Sequence, residues 1–141
     1  MRFAIAIIFI WTGFILSISF FESWVKFRAA GVTTPVALSI GKLVFTVLNR
    51  IEWAFMLLIT ISLFASKVSI APVILYLMIA VIAILLLQTF WLLPQLNVRA
   101  VSRINGIKTA PSSLHHYFVL AEFIKLACLI VVGIKLFKFL N

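Results

Sequence analysis

Two long apolar stretches without a charged residue constrain this chain more than any other feature of its sequence. Phe3–Phe21 covers 19 residues and Ala71–Leu93 covers 23. About 20 apolar residues are enough for a helix to cross the hydrocarbon core of a bilayer. Charged residues make up 11% of the chain, against roughly 25% in an average soluble domain. The sequence therefore predicts an integral membrane protein.

The hydrophobic pattern predicts four helices within a single domain, residues 1–141. Their expected bounds are about 3–27, 38–65, 70–93 and 113–139. The connection Ser66–Ser69 is so short that the second and third helices are expected to be antiparallel neighbours. We interpret the first helix as a retained span rather than a cleaved signal, because no small-residue cleavage site follows Phe21. The predicted fold class is all-α, a four-transmembrane-helix bundle.

A basic loop sequence occurs twice, as RAAGVTTP at Arg28–Pro35 and as RINGIKTAP at Arg103–Pro111. Each copy separates two predicted helices, and the helix that follows it carries an acid, Glu52 or Glu122. This likeness predicts that the bundle is built from two similar helical hairpins, related by an axis along the membrane normal. The alternative stays open, because an arginine followed by glycine and proline is also how one helix commonly ends and the next begins.

Basic residues outnumber acidic ones, 12 to 3, which gives a formal net charge of +9. The predicted loops place Lys26, Arg28, Arg99 and Arg103 at one membrane surface, where basic side chains contact anionic lipid headgroups. We therefore expect the lipid bilayer, and not nucleic acid, as the partner of this charge. A homo-oligomer or another membrane protein stays open as a further partner.

The distribution of lysine and arginine between the two surfaces predicts the orientation. The two sides carry Lys26, Arg28, Lys42, Arg99, Arg103 and Lys108 against Arg2, Lys67, Lys135 and Lys138. Cytoplasmic loops of membrane proteins carry an excess of these residues. The paired basic loops are therefore expected to face the cytoplasm, in a multi-pass protein of the bacterial inner membrane.

The three acidic residues of the chain, Glu22, Glu52 and Glu122, all lie within predicted helices. Five further polar or charged side chains fall at similar predicted depths: Asn49, Arg50, Gln88, His115 and Lys125. A charge in hydrocarbon costs about 3 kcal/mol or more, so we expect this set to face the bundle interior as a polar intramembrane site. Spacing predicts the ion pairs Glu22–Lys26 and Glu122–Lys125, and leaves Arg50 to reach an acid on another helix.

Two interpretations of this polar site stay open. In the first, it binds or relays a proton, a small cation or a polar headgroup, as a transporter does, with Glu22, Glu52, Glu122 and His115 at its centre. In the second, the same side chains only hold the helices together, in a structural or assembly subunit of a membrane complex.

Catalysis and metal binding receive less support from the sequence. Carboxylate and imidazole groups can bind transition metals, but the spacings Glu-x-x-His, His-x-x-x-His and Cys-x-x-Cys are all absent. The sequence also has neither a P-loop nor a dinucleotide-binding fingerprint. We therefore assign no catalytic residue, no cofactor and no particular metal, and we lean against an enzyme.

Two stretches, Phe20–Glu52 and Asn97–Lys125, resemble a family of small bacterial four-helix membrane proteins. The resemblance depends on Glu22, Lys26, Arg28, Asn49, Glu52, Arg99, Gly106, His115, Glu122 and Lys125 at these spacings. It implies an integral membrane protein and no particular activity. The helix count and the histidine at the start of the last helix also resemble membrane proteins of the copper-resistance D type. The chain lacks methionine and histidine motifs suited to copper, so that activity is not carried over.

Overall fold

Four long helices form most of the protein, which a computed structural model describes at residues 1–66, 70–108, 110 and 112–140. We number these helices α1 to α4. Their bounds are Arg2–Arg28 for α1, Thr34–Ala65 for α2, Pro72–Ile104 for α3 and Leu114–Lys138 for α4. Regular structure in the described residues is helical throughout. The all-α class and the four helices are as the sequence predicts.

Helix α3 is longer than the sequence predicts, because it continues through Pro94 to Ile104 instead of ending near residue 93. A proline inside a helix lacks an N–H group and crowds the carbonyl of the preceding turn. Here that preceding turn, Gln88–Leu92, is a π-helix, and a local π turn is one way in which a membrane helix accommodates proline. As a result Arg99 and Arg103 lie on the last turns of α3 rather than in a loop.

Helix α1 also departs from regular α geometry. Its first part, Arg2–Phe14, is α-helical, and a π-helical stretch follows at Ile15–Glu22. The helix ends in a tight 3₁₀ turn at Lys26–Arg28. Helix α2 begins at Thr34, earlier than the predicted residue 38, because Pro35 in its first turn is preorganised for a helix start.

The four helices pack as a ring of neighbours. Helix α1 contacts α2 and α4, while the first part of α3, Pro72–Leu87, packs on α4 and its last part, Leu93–Ile104, packs on α2. Fully buried side chains that include Trp11, Ile59 and Leu129 fill the core between them. The bundle is thus closed by contacts between consecutive helices and between the first and the last.

The two connections that carry the repeated sequence share one backbone feature. Gly31 has a φ of +80° and Gly106 a φ of +76°, a left-handed conformation that glycine adopts without strain. Thr109 and Pro111 of the second copy lie outside the described residues, as does Lys67 in the connection after α2. The shared glycine conformation also fits two independent helix ends, so the origin from two similar hairpins stays a prediction.

The outer surface of the bundle is apolar on all four helices. Large exposed hydrophobic side chains include Phe3, Leu43, Phe64, Tyr76, Phe90, Leu120 and Phe137. Helices that are hydrophobic on their outer as well as their inner faces are typical of membrane spans. Each of the four helices is long and apolar enough to cross a membrane.

Candidate functional site

One lysine on α4 forms the centre of a buried polar cluster. Lys125 Nζ lies 2.5 Å from Glu52 Oε1 on α2 and 2.9 Å from Glu122 Oε1 on α4. It also donates to Gln88 Oε1 on α3, at 2.8 Å. An ammonium has three N–H donors, so each of them has an acceptor. We call Glu52, Gln88, Glu122 and Lys125 the buried cluster.

Helix α1 completes the buried cluster with two hydrogen-bond donors. Trp11 Nε1 donates to Glu52 Oε1 at 3.0 Å, and Ser19 Oγ donates to Glu122 Oε2 at 3.2 Å. Within the cluster, Gln88 Nε2 donates to Glu122 Oε1 at 2.7 Å. All four helices therefore meet at this network.

The buried cluster is shielded from the surroundings of the bundle. Glu122, Lys125 and Gln88 are 0% exposed and Glu52 is 2% exposed. Charges removed from water to this extent are stable only when they are paired and hydrogen-bonded. The Lys125 ammonium balances one carboxylate charge, and the hydrogen bonds donated by Trp11, Ser19 and Gln88 help to stabilise the two carboxylates.

A second polar set links α2 and α3 next to the cluster. Thr89 Oγ1 accepts a hydrogen bond from Trp53 Nε1 at 2.9 Å and donates to Asn49 Oδ1 at 3.0 Å or to Leu85 O at 2.7 Å. Asn49 is 7% exposed, and its Nδ2 has no hydrogen-bond partner among the described residues. Asn49 therefore belongs to this separate set rather than to the contacts around Lys125.

At one end of the bundle the helices enclose a cavity of about 340 Å³, which we call the basic cavity. All four helices contribute to its walls. Its basic side chains are Lys26, Lys42, Arg99, Arg103 and His115. Apolar side chains that include Ala37, Leu38, Phe45, Leu93, Leu96 and Phe118 form the remainder of its lining.

Two of the basic side chains in this cavity have well-defined contacts. Lys26 Nζ lies 3.2 Å from Glu22 Oε2, and 5.1 Å from the centre of the Phe45 ring. Arg99 donates from its Nη2 to the carbonyl oxygen of Ala110. The acceptor of Arg99 is neutral, so this contact positions the guanidinium without cancelling its charge.

An apolar layer separates the basic cavity from the buried cluster. The rings of Phe45 and Phe118 pack edge to face with their centres 5.1 Å apart. Leu92, Leu93 and Ala121 pack in the same layer. Glu122 follows Phe118 by four residues, about one helical turn, so the cluster begins one turn below this layer.

The structure brings together half of the polar set that the sequence singled out. Glu52, Gln88, Glu122 and Lys125 form the buried cluster, and the predicted pairs Glu22–Lys26 and Glu122–Lys125 are present. Glu22 lies apart from the cluster, near the basic cavity. Of the four basic residues predicted at headgroup level, Lys26, Arg99 and Arg103 line the cavity, whereas the Arg28 guanidinium stacks 3.9 Å from the centre of the Trp24 ring.

Besides Glu22 and Asn49, two further members of the predicted set, Arg50 and His115, lie outside the buried cluster, which corrects the expectation from the sequence. Arg50 is exposed on the outer side of α2, because α2 turns Leu48, Asn49 and Glu52 inward. Lys125, not Arg50, therefore provides the counter-ion of Glu52. His115 is exposed and lines the basic cavity rather than the cluster, since it lies in the first turn of α4.

The partners of the cluster on α1, Trp11 and Ser19, are not among the residues predicted from the sequence. A tryptophan and a serine in an apolar run resemble ordinary membrane-helix residues. The buried positions Ile8, Trp11, Ile15 and Ser19 follow each other at spacings of three or four. That helical periodicity is the signal that would have found them.

The described part of the chain contains no group of three His, Cys, Asp or Glu side chains arranged to hold a metal ion. The carboxylates of Glu52 and Glu122 instead contact the ammonium of Lys125 directly. No particular metal or cofactor is assigned on these residues.

Fold and site together define the class of this protein as a multi-pass integral membrane protein, a four-helix bundle with a buried Glu/Lys ion-pair cluster. Comparisons with protein-family models, with curated proteins and with solved structures find no match to the chain. The resemblance to small bacterial four-helix membrane proteins and to the copper-resistance D type therefore stays a prediction.

Proposed function

We propose that this membrane protein binds a phosphate-bearing anion in the basic cavity, with the phosphate of an anionic lipid headgroup as its natural source. The observation that carries the proposal is the lining of that cavity. Lysine and arginine side chains from α1, α2 and α3 converge there on one space beside apolar walls. Lysine and arginine are the side chains that proteins use most to bind phosphate.

The charge balance of the chain supports an external anion. The chain has only three acidic residues, and their carboxylates contact Lys26 and Lys125. Lys42 and Arg99 lie in the cavity lining, away from those contacts. A cavity with several cations in its walls attracts an anion of complementary charge.

Size and position favour a lipid over a large soluble ligand. The volume of about 340 Å³ lies at the lower end of small-ligand pockets, about 300 to 1,000 Å³. It is sufficient for a phosphate and the first part of an attached chain. Helix α3 has 33 residues, about 50 Å in length, so its last turns with Arg99 extend from the hydrocarbon core of about 30 Å toward the headgroups.

For the buried cluster, the geometry favours helix packing over transport. Its carboxylates close directly on Lys125, whose three donors are all used. At the level of the cluster and beyond it, Thr12 and Thr60 donate to backbone carbonyls of their own helices, Ile8 O and Met56 O. These hydroxyl groups therefore do not extend the network across the bundle. Interhelical hydrogen bonds of this kind hold membrane helices together.

The orientation is part of the same proposal. We place the basic cavity at the cytoplasmic surface of a bacterial inner membrane, since positive side chains favour that side and its lipids provide anionic headgroups. Single cysteines at Ile107 and Phe139, both exposed, test the orientation in a Cys128→Ala background. An impermeant thiol reagent added outside intact cells is expected to label residue 139 and not residue 107, and the reverse pattern contradicts the orientation.

Native mass spectrometry of the protein in detergent micelles tests lipid binding directly. The probes are phosphatidylglycerol and phosphatidylcholine with identical acyl chains. Arg99→Gln is expected to weaken phosphatidylglycerol binding roughly fivefold, because each basic residue near a membrane surface contributes about 1 kcal/mol. Lys108→Gln is the matched control, since Lys108 is on the same side of the protein but outside the lining of the basic cavity.

Two competition arms identify the source of the phosphate. Inorganic phosphate and glycerol phosphate are added to the protein loaded with phosphatidylglycerol. A lipid site predicts that neither displaces the lipid at equal concentration, because neither contacts the apolar walls. Displacement by inorganic phosphate identifies a soluble phosphate as the ligand. Equal losses in the Arg99 and Lys108 variants, or equal binding of both lipids, contradict the proposed function.

A further inference from the structure

We propose that Lys26 is the innermost phosphate contact of the basic cavity, and that Glu22 competes with the ligand for its ammonium. The inference rests on the proposed function and adds a built-in competitor to it. It concerns three residues of α1 and α2: Glu22, Lys26 and Gly41. Glu22 and Lys26 are four residues apart on α1, so their side chains lie on the same face.

Gly41 positions the Lys26 ammonium. A Cβ atom built on Gly41 would lie 2.8 Å from Lys26 Nζ and 3.4 Å from its Cε. The ammonium therefore occupies a notch in α2 that any larger residue would partly fill. A glycine in the interior of a helix is less favourable than alanine, so this notch is a structural reason for a glycine at this position.

The Lys26 ammonium is largely buried although it lines the cavity. Its side chain is 9% exposed, while that of Glu22 is 28% exposed. The rings of Phe45 and Phe27 lie 5.1 and 5.7 Å from its Nζ. Aromatic faces attract a cation without neutralising it. Glu22 provides the negative charge that stabilises Lys26 when the cavity is empty.

The contact with Glu22 has the properties of a displaceable counter-ion. The separation of 3.2 Å is that of a direct ion pair, and the carboxylate is partly exposed, so screening by solvent weakens the attraction. Lys26 lines the basic cavity, and Glu22 is outside that lining. A phosphate entering the cavity would approach the ammonium from the cavity side and carries more charge-accepting oxygen atoms than a single carboxylate. Binding then exchanges one anionic partner of Lys26 for another.

A double-mutant cycle on phosphatidylglycerol binding tests this exchange, with the same native mass spectrometry measurement. Glu22→Gln removes the competitor and is expected to tighten binding about threefold. In a Lys26→Gln background, Glu22→Gln is expected to change binding little, because its effect acts through Lys26. If Lys26→Gln does not fold, Lys26→Met takes its place in the cycle.

Gly41→Ala provides a test that leaves net charge unchanged. It is expected to weaken phosphatidylglycerol binding about as much as Lys26→Gln, and to have little further effect when Lys26 is already replaced. If Gly41→Ala lowers the stability of the bundle, Lys26→Arg tests the same notch, because a guanidinium is too large for it and should also weaken binding.

The outcomes separate this inference from the proposed function. If Glu22→Gln tightens phosphatidylglycerol binding equally in the wild-type and Lys26→Gln backgrounds, its effect is a general effect of charge. That result overturns the inference, even if Arg99→Gln still weakens binding. If Gly41→Ala lowers the affinity for phosphatidylglycerol equally in the wild-type and Lys26→Gln backgrounds, the notch does not act through Lys26. That result overturns the role that we give to the notch. If the wild-type protein fails to distinguish phosphatidylglycerol from phosphatidylcholine, the proposed function itself fails.

Discussion

The buried cluster and the basic cavity use the same kinds of side chain in opposite ways. In the cluster, two carboxylates and one amide oxygen surround the single ammonium of Lys125. In the cavity, the charged side chains of the lining are lysines and arginines, and Lys26 pairs with Glu22, which lies outside the lining. In the first region each charged group has partners within the protein, whereas in the second the lysine and arginine side chains outnumber the acidic contact, which favours an external anion. The comparison separates the residues that connect the helices from the residues to which we assign anion binding.

The energetic consequences of the two arrangements differ as well. Charges in the cluster interact at low dielectric, where a lost partner leaves an uncompensated buried ion. Lys42 and Arg103 in the cavity lining are exposed, so solvent and ions screen their charges. Substitutions in the cluster should therefore change stability, and substitutions in the cavity should change ligand binding.

The largest expected effect follows from Lys125→Met, which leaves Glu52 and Glu122 buried without their cation. We expect the free energy of unfolding to fall by about 3 to 5 kcal/mol, measured by denaturant titration in detergent micelles followed by circular dichroism. Lys138→Met on the exposed end of α4 is the control and should change stability by about 0.5 kcal/mol or less. Equal effects of the two variants would show that the cluster does not stabilise the bundle.

A triple variant sharpens this first prediction. When Glu52→Gln and Glu122→Gln accompany Lys125→Met, the carboxylates no longer need a cation, and most of the lost stability should return. Failure of the triple variant to recover any stability would mean that the packing of the lysine stem, rather than the paired charge, is what the cluster contributes.

A smaller loss of stability is expected for Trp11→Phe, which removes the hydrogen bond from Trp11 Nε1 to Glu52 Oε1. A hydrogen bond to a charged group contributes about 2 kcal/mol, and the unfolding free energy should fall by that amount. Trp91→Phe is the matched control, because Trp91 is 46% exposed. Identical stabilities of the Trp11 variant and the wild type would show that α1 is not tied to the cluster through this bond.

The smallest expected effect is that of ionic strength. It should change ligand binding in the basic cavity and leave the stability provided by the buried cluster almost unchanged. Raising the ionic strength from about 0.1 to about 1 M shortens the Debye length from about 10 to about 3 Å. Phosphatidylglycerol binding should weaken about threefold or more, while the unfolding free energy of the wild type should change by about 0.5 kcal/mol or less. A salt-dependent stability with salt-independent lipid binding would reverse the roles that we assign to the two regions.

Local spacing explains what could be predicted from the sequence. The four helices follow from long apolar runs, and the pairs Glu22–Lys26 and Glu122–Lys125 follow from residues three or four apart on one helix. The extent of α3 could not be predicted in this way. Its continuation depends on the π turn before Pro94, a backbone adjustment that the hydrophobic pattern does not contain.

Contacts between helices were predicted less well than contacts within them. The partner of Glu52 depends on how α2 and α4 are rotated, and this rotation brings Lys125 inward and leaves Arg50 exposed. The inward positions of α2 that include Asn49, Glu52 and Met56 could have indicated that Arg50 points outward. The basic cavity could not be predicted, because it depends on how four helix ends enclose a space.

A crystal structure of the protein grown in a lipid mesophase containing phosphatidylglycerol tests the central claim most directly. Our account predicts a phosphate in the basic cavity within hydrogen-bonding distance of Arg99 and Lys26, and a direct contact of Lys125 with Glu52 and Glu122. A cavity without a phosphate, together with an ion or water molecules between Lys125 and the two carboxylates, would contradict it. That result would make the buried cluster, rather than the cavity, the binding site.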